Sequence, residues 1–116
     1  MARADAPRVT LRVARGQAAQ QQAIDAWMQV PPAASAVIAE GAFFELAAPD
    51  GVAVKRLAAG CVCCVGVVPL RVTLTRLLRE QHPARILLLV GDATHLARVR
   101  ALLSDGALGV VLDGEE

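Results

Sequence analysis

Five bulky aliphatic residues follow one another at positions 86–90, Ile-Leu-Leu-Leu-Val. Successive side chains of a strand point to opposite faces, so such a run needs apolar cover on both sides. The run therefore predicts a central strand of a parallel sheet, with other elements packed above and below it. It is far shorter than the roughly 20 apolar residues that cross a bilayer.

The flanking sequence supplies what such a sheet requires. Residues 9–13 (VTLRV) alternate apolar and polar and predict a short strand. Gly16 follows, then a Gln- and Ala-rich stretch, 17–29. There Ala19, Ala23, Ile24, Ala26 and Trp27 recur at helical spacing, until Pro31 and Pro32 stop the helix. Residues 36–39 (AVIA), closed by Glu40 and Gly41, predict a buried strand. Residues 43–48 fit a loop or another short strand. Pro49, Asp50 and Gly51 signal a turn before a strand over 52–57. Pro69 suits a first helical turn, and Leu70, Leu74, Leu77 and Leu78 form a stripe opposed by Arg71, Arg76, Arg79 and Glu80. His82 and Pro83 end that helix. After the aliphatic run, Gly91 and Asp92 turn the chain. Thr94 is a candidate N-cap for a helix through Leu103, which Gly106 terminates. A last strand is expected over 107–112.

Strands alternating with helices imply an α/β fold: an open, mostly parallel sheet of about four to five strands flanked by about three helices. The 116 residues suit a single domain over 1–116, with 1–7 and 113–116 as flexible tails. With 55% hydrophobic and 20% charged residues, the chain can bury enough apolar surface to fold. Aromatic residues make up only 3% and the net charge is +1, so neither base stacking nor a basic face supports nucleic-acid binding. The charged N-terminal stretch has no continuous apolar core of a secretory signal. The cytoplasm is the expected location, with no membrane partner.

One short string stands apart chemically: Gly60-Cys61-Val62-Cys63-Cys64. Three cysteines within four residues make a poor disulfide framework, because near neighbours meet disulfide geometry only under strain. Three thiolates at this spacing can converge on one soft or borderline ion if the chain turns sharply, as Gly60 permits. Zinc takes four tetrahedral ligands, which leaves one position for a further side chain, water or a partner; cobalt and copper also fit the donor type. Two other readings stand beside this one. The thiols would also suit small buried side chains at a strand end, or a redox pair in which one thiol resolves another.

The string Leu57-Ala58-Ala59-Gly60-Cys61-Val62-Cys63-Cys64, with Leu70 six residues on and Leu77-Leu78 beyond, resembles the CobW-type metallochaperone GTPases. The resemblance implies a fold like the N-terminal half of a P-loop GTPase domain. It also implies a metal site at Cys61, Cys63 and Cys64, and a strand before the first switch ending at Glu40, which is a further candidate ligand or supporting group. Ala39 departs from the asparagine usual before that glutamate. Implied partners are a metal ion and either a client metalloprotein or a full-length GTPase. The phosphate loop of that family, G-x-x-x-x-G-K-[ST], does not survive here. Ala14 and Ala19 fall at its glycines, Gln20 at its lysine and Gln21 at its hydroxyl, and Gly16 is the only glycine between. The second-switch string, expected at 89–92, is absent too. Without lysine and hydroxyl there is nothing to neutralise phosphate or hold magnesium, so GTP and magnesium are not expected as cofactors and ordinary GTP hydrolysis is not expected. The alternatives are a non-catalytic interaction domain and a divergent GTP-binding protein.

His82 and His95 are the only histidines, and both read as solvated residues at helix ends. His82 is a remote candidate for a fourth zinc ligand. Neither has a serine or cysteine at a catalytic spacing, so no catalytic residue is assigned. Asp92, Asp105 and Asp113 beside glycines read as turn residues, and Glu115 and Glu116 as a solvated tail.

Overall fold

The structure is a computed structural model that describes residues 6–29, 34–41, 45–57, 68–104, 106 and 108–115. The elements run β1 (Arg8–Val13), α1 (Gln17–Trp27), β2 (Ser35–Glu40), β3 (Ala53–Leu57), α2 (Val68–Gln81), β4 (Arg85–Val90), a 3-10 turn (Ala93–His95), α3 (Leu96–Ser104) and β5 (Val111–Glu115). The five strands form one sheet in the order β3-β2-β4-β1-β5, and every pair is parallel.

The aliphatic run lies at the centre of this sheet as β4, between β2 and β1, with residues 86–90 fully buried. Its alternation divides the core. Ile86, Leu88 and Val90 face Leu70, Leu74 and Leu77 of α2 and Val99, Leu102 and Leu103 of α3. Leu87 and Leu89 face Ala23, Ile24 and Trp27 of α1 on the opposite side. Among the described residues, one helix therefore covers one face and two cover the other. At roughly 1.5–3 kcal/mol for each aliphatic side chain fully removed from water, this double cover is the main stabilising term of the fold.

Several boundaries differ from the sequence expectation for local reasons. Gly106 and Gly109 both have positive φ, 88° and 72°, and the Gly109 N–H bonds the Gly106 carbonyl. The stretch expected to open the last strand is thus used as a turn, and β5 begins only at Val111. It continues through 113–115 in place of the expected flexible tail, and Arg8 pairs with Asp113 at 2.9 Å with both side chains exposed. At the other terminus, Ala6 is buried and the Pro7 carbonyl accepts the Val111 N–H, so residues 6–7 are part of the packed structure. Residues 45–49 form no strand. Asp92, not Thr94, caps the chain after β4: its Oδ1 accepts the N–H and the hydroxyl of Thr94, both at 2.9 Å, and a 3-10 turn precedes α3.

The amino-terminal edge of the sheet is closed by Arg85. Its guanidinium lies 4.0 Å over the Trp27 ring and its Nε donates to the Ser35 hydroxyl. Among the described residues, no helix is long and apolar enough to cross a membrane.

Candidate functional site

In open parallel sheets the loops at the carboxyl ends of the strands gather the chemically active groups. Here that edge is knotted together by Glu40. The alternation of β2 sends Val37 and Ala39 toward α1, and Ile38, with Glu40 by the same parity, toward the face of α2 and α3. Glu40 is only 2% exposed. Its Oε1 accepts the Gly91 N–H at 2.7 Å and lies 3.0 Å from Nδ1 of His95. The last residue of β2 is thereby tied to the exit of β4 and to the turn that starts α3.

His95 differs from the expectation of a solvated residue. The 3-10 turn capped by Asp92 tucks its ring down against Glu40, and the side chain is 14% exposed. Asp92 is itself held below the usual carboxylate range. The largest causes are the two Thr94 donors, and the nearby charges of His95 and Arg15 act in the same direction against a smaller desolvation effect. His82 is exposed, has a φ of 49° and stands at the opposite, amino-terminal edge, beyond the far end of α2.

The backbone of Glu40 makes the second tie. Gln20 of α1 is fully buried, and its Nε2 donates to the Glu40 carbonyl at 2.7 Å and to the Ala14 carbonyl at 3.0 Å. Gln20 takes the place on the apolar face that the helical pattern had given to Ala26, which is exposed. Two carbonyl partners fix the amide orientation, and Oε1 is left buried without a hydrogen-bond partner among the described residues. Gln21 is engaged as well. Its Nε2 donates to the Ala47 carbonyl at 2.9 Å and its Oε1 accepts the Ala47 N–H at 2.8 Å. Gln17 adds a bond to the Glu45 carbonyl at 2.9 Å, so α1 clamps the returning segment 45–48. Gly16 stands at the N-cap of α1 with φ 89° and no side-chain cap.

Gln20 thus holds two backbone carbonyls and Gln21 holds the backbone of Ala47, so both amides are engaged within the chain.

Gly60, Cys61, Cys63 and Cys64 lie outside the described residues. Among the described residues, no three His, Cys, Asp or Glu side chains converge on a metal-sized site. What the structure does give is the frame of the cysteine string. It starts four residues after Leu57, the end of β3, and ends four residues before Val68, the start of α2. Leu57 pairs in register with Glu40, and its carbonyl accepts the Gly41 N–H at 2.9 Å. Comparison of the chain with protein families, with curated proteins and with solved structures returns no match in any of the three.

Proposed function

We propose that this protein binds a metal ion, zinc in the first place and cobalt or copper(I) as alternatives, through the thiolates of Cys61, Cys63 and Cys64. On this reading it is a relative of the CobW-type metallochaperones that has lost nucleotide chemistry, and it holds or hands over its ion in a reducing compartment such as the cytoplasm. One observation carries the proposal: a buried carboxylate–imidazole pair, Glu40 with His95, stands at the strand ends beside the point where the cysteine-bearing segment leaves β3. The donor chemistry agrees, since three thiolates with one open position suit an ion that must be received and released. The internal use of Gln20 and Gln21 supports the loss of the phosphate site.

Metal analysis of the purified, reduced protein tests the proposal. About one zinc per chain is expected, lost in Cys63→Ser. If the native protein carries no metal and takes up none at micromolar zinc, the proposal fails. Titration with GTP and magnesium is expected to show no saturable binding.

A further inference from the structure

We propose that the groove between β3 and α2 binds an extended segment of a partner protein, aliphatic toward one end and acidic toward the other, which joins the sheet as a further strand beside β3. This surface involves neither the cysteine string nor the Glu40–His95 pair.

Among the described residues, β3 has a strand neighbour on one side only. The Leu57 carbonyl turns to the Gly41 N–H on the β2 side, so by strand alternation the N–H and C=O of Val54 point the other way. Ala53 and Leu57 pack on the α2 face of the sheet, and Lys55 shares their parity. There the strand and the helix border a cavity of about 160 Å³, lined by Lys55 and Arg56 of β3 and by Val72, Arg76, Leu77 and Glu80 of α2.

Three cations against one carboxylate give this cavity a positive character that the chain, at net charge +1, does not have as a whole. Apolar surface adjoins it. Val72 is 51% exposed, and so is Val68 one turn earlier on the same side of the helix. The flank of α2 beside the sheet edge is thus Val68, Val72, Arg76 and Glu80, each four residues from the last. Four helical residues advance about 6 Å, and two strand residues advance about 6.7 Å. A strand lying along this flank therefore sets alternate side chains against successive helix positions. Two aliphatic residues meet Val68 and Val72, and an acidic residue meets Arg76 within the cavity that Lys55 also lines. In this mode backbone pairing supplies affinity and the alternate side chains supply selection. The cations repel a second basic edge and admit an acidic one. With valines and no aromatic side chain on this flank, the groove suits a peptide better than a nucleic-acid strand.

Two end-capped, labelled peptides, Ser-Glu-Thr-Val-Thr-Val-Ser and its reverse, serve as probes for the two strand directions. Fluorescence anisotropy with the 116-residue chain is the readout. At least one peptide should bind saturably and shift the amide resonances of Val54, Val72 and Arg76. Lysine in place of the peptide glutamate should weaken binding roughly 10-fold or more. Lys55→Glu with Arg76→Glu, at two exposed positions, should keep the circular dichroism spectrum and reverse that preference. If neither peptide binds below about 1 mM, the inference is overturned. It is overturned as well if binding ignores the charge exchange, or if a single-stranded DNA oligomer binds more tightly than either peptide. Sedimentation without peptide addresses the remaining occupant: a dimer that the double substitution dissociates would place a second copy of the chain in the groove and overturn the assignment to a partner.

Discussion

Gln20 decides more about this fold than its residue type announces. The donor half of its buried amide is matched: Nε2 bridges the carbonyls of Ala14 and Glu40, joining the exits of β1 and β2. Gln20→Leu keeps the volume and strands both carbonyls. It should cost about 2–4 kcal/mol, read as a lower urea midpoint with an unchanged slope. A variant as stable as the parent would mean that the bridge contributes nothing. Sequence periodicity placed Ala23, Ile24 and Trp27 on the buried face of α1, because helical spacing is local information. It could not place Gln20 there, since its partners lie 6 and 20 residues away. His95 was hidden for the same reason: Glu40 is 55 positions earlier. A usable signal was present, however, in a histidine directly after the turn that leaves a central strand.

At the scale of elements, the reading was best where burial pattern alone decides. The aliphatic run became β4, and the leucine stripe became the core face of α2. It was weaker at ends, where glycine conformation and capping compete with propensity. The turn at 106–109 displaced β5, and Asp92 took over the cap expected of Thr94. This cap has a pH signature. Hydrogen bonds from Thr94 stabilise the ionised form, so the folded Asp92 titrates below its unfolded value. Its contribution is complete above the unfolded carboxylate range, near pH 4, and is lost as pH falls through the lower folded value. Asp92→Asn should therefore narrow the loss of thermal stability seen on acidification. Identical acid sensitivity in the two proteins would show that other carboxylates set it.

At the scale of the whole molecule, the five-stranded open sheet of the described residues leaves two outer strands, β3 and β5. Unpaired strand edges invite pairing with other chains, and charged side chains on an edge are a common guard. On β3 that guard is Lys55 with Arg56, both exposed. Replacing both with valine should leave the far-ultraviolet circular dichroism unchanged and raise light scattering at micromolar protein. A fully dispersed double variant would show that the edge is protected by other means. The strand order was not legible beforehand. Periodicity tells which residues are buried, but a parallel pair is specified by contacts between segments far apart in the chain.

That strand order also sets a timetable. β1 comes first of the five strands in chain order, yet its two sheet neighbours, β4 and β5, come last among them, and Arg8 reaches Asp113 across 105 positions. Val9 and Leu11 therefore have no sheet to join until β4 emerges. β4 then joins β1 to the β2–β3 pair, and β5, later in the chain, adds to the other side of β1. Closing such long loops before any contact compensates for them makes folding slow, and it leaves the apolar β1 without a sheet partner until β4 is available.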